Sequence, residues 1–79
     1  MILDVKYFGK ITEISKRESE QIELEDTINL KEFRLMLLSR YPDLKSETFQ
    51  IAVNQDLKAD GFQIIERCEI AILPPFAGG

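Results

Sequence analysis

The sequence is 79 residues long, which corresponds to one domain with a modest hydrophobic core, and 44% of its residues are apolar. Fourteen acidic residues against ten basic ones give a net charge of −4, and Lys and Arg are not clustered as a protein that binds nucleic-acid phosphates requires. Histidine is absent and the sequence has no metal-binding, nucleophilic or phosphate-loop motif, so composition argues against nucleic-acid binding, a bound metal and an autonomous active site.

The first predicted element is a strand over residues 2–8. Its side chains alternate between an apolar and a polar face. The apolar face consists of Leu3, Val5 and Tyr7. Phe8 falls on the polar face, where an aromatic side chain either contacts a partner protein or is covered by the segment that follows.

The next residues complete a predicted N-terminal hairpin. Residues 9–20 are polar with two isoleucines three positions apart, which predicts a short helical turn followed by a loop. Residues 21–25 alternate again, with Ile22 and Leu24 on one face. They predict a second strand that directs these two side chains inward.

The main helix is predicted to follow Asn29. This residue is a suitable N-cap, and Glu32 completes a capping-box pattern three positions later. Pro42 ends the helix, because the residue before a proline disfavours α geometry. Apolar residues recur at helical spacing and predict one core-facing stripe, formed by Leu30, Phe33, Met36 or Leu37, and Tyr41.

The second half of the chain predicts short strands and connectors. Residues 43–50 are predicted to be a polar connector, and residues 51–53 a short buried strand. The pair at 54–55, Asn-Gln, favours a turn. Residues 57–63 are predicted to be irregular, with a turn at 60–61, and Ile64, Ile65 or both are expected to reach the core.

Residues 69–73 predict the last strand, which is apolar on both faces. Ile70 and Ile72 lie on one face, and Ala71 and Leu73 on the other. Two apolar faces indicate a central strand or a strand whose outer face docks a partner. The element order predicts an α+β fold, with one main helix packed on one face of a mixed sheet.

The single cysteine, Cys68, has no partner for an internal disulfide, which is typical of a reducing cytosol. No signal-peptide pattern and no run of about 18 apolar residues is found, so we expect a cytoplasmic protein without a membrane span. Cys68 is expected to be structural, and a sulfur relay through it is the alternative.

The carboxy-terminal tail carries the predicted chemistry. Pro74 and Pro75 cannot donate to a β-ladder, so they stop the strand and extend the chain. Fully extended, residues 74–79 reach about 20 Å. Gly78 and Gly79 have no side chains, so a partner enzyme can draw this end through a narrow channel. Adenylation by ATP would then activate the terminal carboxylate, and a sulfur nucleophile would convert it to a thiocarboxylate.

Three segments follow a known pattern: VKYFGKITEI at 5–14, AVNQ at 52–55 and EIAILPPFAGG at 69–79. They resemble the ubiquitin-like β-grasp sulfur carriers, and within them most closely the small subunits of molybdopterin synthase. The resemblance spans nearly the whole chain. It implies a single ubiquitin-like β-grasp domain over residues 1–79, with a flexible, protruding tail at 73–79.

The resemblance also implies a function for the tail. An ATP-dependent activating enzyme adenylates Gly79, which becomes a thiocarboxylate. Phe76, Ala77, Gly78 and Gly79 insert into the large catalytic subunit, where the sulfur passes to a pyranopterin precursor of molybdopterin. The assembly is a heterotetramer of small and large subunits. The chain itself is then a non-catalytic subunit that binds no cofactor tightly, since ATP is used by the activating enzyme.

Two further implications concern particular residues. The resemblance places the docking surface for the large subunit at Phe8, Ala71, Leu73, Pro74 and Pro75. In one turn the sequence departs from the family, because residues 66–69 read Glu-Arg-Cys-Glu where the family usually has Asp-Gly-Asp-Glu. Arg67 stands where glycine often permits a positive φ, so either the turn differs or a strain of about 1 kcal/mol is tolerated.

Other functions stay open at this point. The same carrier chemistry serves thiamine synthesis, tRNA thiolation and other metabolites, although the Pro-Pro pair and the chain length favour molybdopterin. A ubiquitin-like protein modifier that is joined to lysines through Gly79 has the same ending. A β-grasp interaction module with an inert tail is the remaining alternative.

Overall fold

The computed structural model describes residues 1–75 of the chain. Helices and strands are mixed along these residues, as an α+β fold requires. The helices are α1 (Lys10–Ser15), α2 (Leu30–Arg40) and a short 3-10 helix (Pro42–Ser46). The strands are β1 (Ile2–Tyr7), β2 (Ser19–Glu23), β3 (Ile28–Asn29), β4 (Gln50–Val53), β5 (Asp56–Leu57), β6 (Gln63–Ile64) and β7 (Cys68–Leu73).

Within the described residues the strands form a large mixed sheet and a small one. The large sheet has the order β2-β1-β7-β4-β5, and in the small sheet β3 pairs with β6. β1 and β7 are parallel, whereas the other pairs are antiparallel. The mixed sheet is confirmed, and β7 is a central strand, as its two apolar faces predicted. It begins at Cys68, one residue earlier than expected.

The core lies between α2 and one face of the large sheet, which we call the inner face. Leu3 and Val5 of β1 and Ile70 and Ile72 of β7 are fully buried there. Burial of one such side chain stabilises the fold by about 1.5–3 kcal/mol, so this layer fixes the helix on the sheet. The buried side chains of α2 are Leu30, Phe33 and Leu37.

The capping box at the start of α2 is confirmed. The Glu32 N–H donates to Asn29 Oδ1 at 2.8 Å, and the Asn29 N–H donates to Glu32 Oε1 at 3.0 Å. The helix ends at Arg40, before Pro42, as predicted. Within the predicted stripe Leu30, Phe33 and Leu37 are fully buried, while Met36 and Tyr41 pack at the margin of the core.

The prediction of a polar connector over residues 43–50 is wrong. A 3-10 helix occupies its first part and β4 begins at its last residue, Gln50. Leu44 and Phe49 are buried core residues. Their apolar character is not periodic in the sequence, so only the fold of the segment against the core reveals where they point.

Both ends of the second strand differ from expectation, whereas the prediction for Ile64 and Ile65 is confirmed. The second strand was predicted at 21–25 and lies at Ser19–Glu23, because β2 pairs with β1 as far as Lys6 opposite Ser19. Ile64 is buried, whereas Ile65 is 69% exposed. The core therefore takes Ile64 alone.

The turn between β4 and β5 is confirmed. Val53 pairs with Asp56, so the loop has two residues, and Asn54 and Gln55 have φ values of 49° and 74°. Positive φ at both positions is the geometry of a tight hairpin turn that matches the twist of the strands. Arg67 does not share this geometry, because among residues 1–75 positive φ outside glycine occurs at Lys16, Asn54 and Gln55. Of the two alternatives for the turn at residues 66–69, strain from a positive φ at Arg67 is therefore excluded.

Candidate functional site

The face of the large sheet turned away from α2, the outer face, carries an apolar row. Strand register places Ala71 of β7 beside Ala52 of β4, and Ala52 beside Leu57 of β5. Ala52 is buried, Ala71 is half-buried and Leu57 is 52% exposed. Leu73, also half-buried, follows two positions after Ala71 on the same face.

Phe8 extends this apolar surface toward the end of β7. Its N–H donates to the Ile72 carbonyl at 3.1 Å, so the β1–β7 ladder continues one residue past Tyr7. Alternation then places Phe8 on the outer face near Leu73. The ring is 43% exposed, so the segment after it does not cover it. The interpretation that the next segment covers Phe8 is thus wrong, and contact with a partner protein is the interpretation that remains.

We call these five residues the outer patch: Phe8, Ala52, Leu57, Ala71 and Leu73. The sequence analysis identified three of them and missed Ala52 and Leu57. Leu57 was assigned to an irregular segment, although the two-residue turn before it contained the necessary signal. A two-residue hairpin turn pairs Asp56 with Val53, so the next residue, Leu57, lies across from Ala52 on the same face.

Ion pairs border the outer patch along β1, where Lys6 lies opposite Ala71, and at the start of β7. Lys6 Nζ lies 3.0 Å from Glu69 Oε2, and Arg67 Nε lies 3.1 Å from Asp4 Oδ2. Hydrogen bonds from Arg67, and then from Gln21, lower the pKa of Asp4. Exposed pairs of this kind contribute about 0–1 kcal/mol. They form a polar border to the outer patch.

The tail leaves the sheet beside Gly9. Gly9 has φ 56° and ψ −133°, which side chains of L-residues rarely permit, and a Cβ placed on it would lie 3.2 Å from Pro74 Cγ. Pro74 is half-buried and Pro75 is exposed. The two prolines thus continue directly from the apolar end of the outer patch. The sequence alone assigned no role to Gly9, because its neighbour Pro74 is 65 positions away in the chain.

The residues that carry the predicted chemistry are Phe76, Ala77, Gly78 and Gly79. They lie outside the described residues, and their assignments stay predictions. Cys68 is described, and it is buried on the inner face beside Leu3. Burial raises the pKa of its thiol, which disfavours the thiolate and fits a structural cysteine. None of the helices in residues 1–75 has the length and apolar character that a membrane span needs.

Comparison with known proteins places this geometry in a family. The model of the ThiS family matches residues 5–79. The chain belongs to the ThiS family. A curated relative, the molybdopterin synthase sulfur carrier subunit of Caenorhabditis elegans, is 28% identical to this ThiS-family chain over 81 residues, which cover 98% of the chain and 96% of the relative.

Solved structures agree with the family. A putative molybdopterin converting factor subunit 1 from Pyrococcus furiosus superposes on this ThiS-family chain with a TM-score of 0.87 at 20% identity, covering 96% of the chain and 99% of the neighbour. A chain from a complex of subunits 1 and 2 of molybdopterin-converting factor from Helicobacter pylori is 32% identical over the whole of both chains, with a TM-score of 0.68. The ubiquitin-like β-grasp fold and the resemblance predicted from the sequence are confirmed.

Proposed function

We propose that this chain is the sulfur-carrying subunit of a molybdopterin synthase. One observation carries the proposal: the outer patch ends at Phe8 and Leu73, where Pro74 and Pro75 lead the chain off the sheet toward its Gly-Gly terminus. A large catalytic subunit that covers this patch lies directly in the path of the tail. The sulfur carrier and the subunit complex named among its relatives support this assignment.

The chemistry of the proposal needs only the carboxylate of Gly79 from this chain. A carboxylate oxygen attacks the α-phosphorus of ATP in an activating enzyme, and pyrophosphate leaves. Sulfur at the oxidation level of hydrosulfide then attacks the acyl carbon of the adenylate, and AMP leaves, so the end becomes a thiocarboxylate. The absence of a side chain at Gly78 and Gly79 keeps the reacting carbonyl accessible in a narrow channel.

Sulfur transfer then takes place in the large subunit. The segment from Phe76 to Gly79 inserts there, and the thiocarboxylate sulfur displaces an oxygen leaving group from a pyranopterin precursor. Water then cleaves the bond between that sulfur and the Gly79 acyl carbon, which returns the Gly79 carboxylate. The chain contributes no histidine to this step, and its outer-face Lys6 is engaged by Glu69. Acid–base catalysis is accordingly assigned to the partner, and this chain supplies a docking surface and a slim, reactive end.

Two measurements test the proposal. Mass spectrometry of protein from its native host is expected to show a gain of about 16 Da at the terminus, from oxygen replaced by sulfur. The purified thiocarboxylate is expected to convert the pyranopterin precursor when it is mixed with a molybdopterin-synthase large subunit.

The outcomes separate the alternatives. A thiocarboxylate that leaves the pyranopterin precursor unchanged, but supplies sulfur to thiamine or tRNA synthesis, would assign the chain to another pathway of the same class. Adducts joined to lysines through Gly79 would identify a protein modifier. An unmodified terminus in cells that are making molybdopterin would leave an interaction module with an inert tail.

A further inference from the structure

We propose that Gly9 is a positioning residue for sulfur transfer, because it sets the direction in which the tail leaves the domain. This inference rests on the function proposed above. It adds to that function a residue that lies between β1 and α1, far from the tail in sequence. Its basis is the position of the Pro74 ring, which borders the space that a Cβ on Gly9 would occupy.

The Pro74 ring leaves little room for a side chain at Gly9. Any Cβ at Gly9 would lie 3.2 Å from Pro74 Cγ and 3.8 Å from Pro74 Cδ, so the ring would have to move by a few tenths of an ångström. The conformation of Gly9, φ 56° and ψ −133°, is itself one that glycine adopts without strain and other residues do not. The backbone conformation therefore favours glycine, and the Pro74 ring leaves little room for a Cβ.

The backbone around Gly9 is held on both sides, so it cannot shift to admit a side chain. Before it, the Phe8 N–H donates to the Ile72 carbonyl at 3.1 Å. After it, the Thr12 N–H donates to the Gly9 carbonyl at 3.1 Å, and Thr12 Oγ1 donates to the Tyr7 carbonyl at 2.9 Å. The displaced group in a Gly9 variant is then the Pro74 ring.

The orientation of Pro74 sets the direction in which the tail leaves the sheet. Each proline ring fixes its own φ near −65°, so Pro74 and Pro75 together are a stiff extension of β7. Over the roughly 7 Å that these two residues span when extended, a tilt of about 10° at Pro74 displaces the end of Pro75 by about 1 Å. A misplacement of about 1 Å at a reacting centre can reduce a rate by about a hundredfold. A small side chain at Gly9 is thus expected to slow transfer without touching the outer patch.

The test uses single-turnover sulfur transfer from the full-length thiocarboxylate at saturating large subunit, with the dissociation constant of the complex measured separately. Gly9→Ala is expected to lower the transfer rate by about tenfold and to change the dissociation constant by less than about threefold. Gly61→Ala is the matched control, because a Cβ at Gly61 meets nothing within 4 Å and its φ is not positive. It is expected to transfer at the wild-type rate.

A double variant separates positioning from loss of stability. Pro74→Ala removes the ring atoms that a Gly9 side chain would strike, and alone it is expected to slow transfer by about threefold. If the two residues act through their contact, Gly9→Ala with Pro74→Ala transfers at about the rate of Pro74→Ala alone. Independent effects would instead multiply, and that result would overturn the inference, as would a Gly9→Ala protein that transfers at the wild-type rate.

A measurement without sulfur keeps this inference separate from the proposed function. A nuclear Overhauser effect between the Gly9 α-protons and the Pro74 γ-protons is expected in the free wild-type protein and lost in Pro74→Ala. Its absence in the wild type would overturn the contact itself. A wild-type protein that shows the contact but transfers no sulfur would overturn the proposed function instead. Melting curves identify any variant that fails to fold. If Gly9→Ala fails to fold, the transfer rate of Pro74→Ala, which leaves Gly9 in place, tests the inference: a wild-type rate would overturn it.

Discussion

Asn54 and Glu69 hold each other through two hydrogen bonds that connect the β4–β5 turn to β7. The Asn54 N–H donates to the Glu69 carbonyl at 2.8 Å, and the Glu69 N–H donates to Asn54 Oδ1 at 3.0 Å. Asn54 can do this because it tolerates a φ of 49° better than most residues. The AVNQ segment is thus a structural device that attaches a hairpin to the strand that carries the tail.

Replacement of Asn54 is expected to destabilise the fold. Asn54→Ala loses the side-chain hydrogen bond and places a less tolerant residue at positive φ, so the free energy of unfolding is expected to fall by about 1–3 kcal/mol. Asn54→Gly loses only the side-chain hydrogen bond, so its free energy of unfolding is expected to fall by less. Gln55→Ala is the matched control, because Gln55 is the second residue of the turn and also has a positive φ. Urea unfolding that ranks Asn54→Gly below Asn54→Ala in stability would contradict this account.

Glu20 is the most heavily hydrogen-bonded carboxylate in the described residues, and its side chain is only 8% exposed. The hydroxyls of Tyr7 and Tyr41 each donate to Oε2 at 2.5 Å. Arg17 and Arg40 donate to Oε1 at 3.3 and 3.2 Å. Burial by itself raises the pKa of Glu20, but the hydrogen bonds from Tyr41 and Tyr7 and the two guanidinium charges outweigh it, so the pKa lies below its ordinary value.

This network predicts a pH dependence of stability. A carboxyl whose pKa is lowered by folding stabilises the protein above its ordinary pKa of 4.5, and this contribution is lost as the pH falls through the lower folded value. Glu20→Gln is expected to cost about 1–3 kcal/mol at pH 7. Below pH 4.5 the difference between the two proteins is expected to shrink.

The check is urea unfolding of both proteins between pH 3 and pH 7, about one pH unit apart. Glu23→Gln is the control, since Glu23 lies on the same strand but is exposed. An energy difference between wild type and Glu20→Gln that stays constant across this range would show that the charge of Glu20 does not stabilise the fold.

Substitutions in the outer patch are expected to weaken binding to the large subunit more than they weaken folding. Phe8→Ala and Leu57→Ala remove exposed side chains whose burial in a complex would contribute about 1.5–3 kcal/mol each, or at least a tenfold change in the dissociation constant. Leu35→Ala is the control, because Leu35 is 57% exposed on α2, away from the outer face. Calorimetric titration measures the affinity. Unchanged affinity for Phe8→Ala would remove that residue from the docking surface.

Changes at the carboxy terminus are expected to abolish transfer and leave stability alone. Deletion of Gly79, or addition of one residue after it, moves the reacting carboxylate out of register with the active site of the partner. The described core spans residues 3–72, so the melting temperature is expected to stay close to that of the wild type. Thermal unfolding and sulfur transfer are measured on the same preparations. A large drop in melting temperature would show that the tail contributes to the fold.

The sequence by itself determined the features that depend on near neighbours. The capping box joins Asn29 to Glu32 within one turn, and the helical stripe repeats every three or four residues, so both were predictable. The two faces of β7 follow from alternation along six residues. The Gly-Gly ending needs no fold at all to be recognised.

Only the tertiary structure decided which distant residues meet. Leu44 and Phe49 belong to the core because the 3-10 helix segment folds onto it, and Leu57 joins the outer patch because a two-residue turn sets its register. Gly9 and Pro74 are 65 positions apart, and parallel pairing of β1 with β7 brings them together. Local propensity acts over a few residues, whereas these contacts arise when burial of one shared core selects a single arrangement of the whole chain.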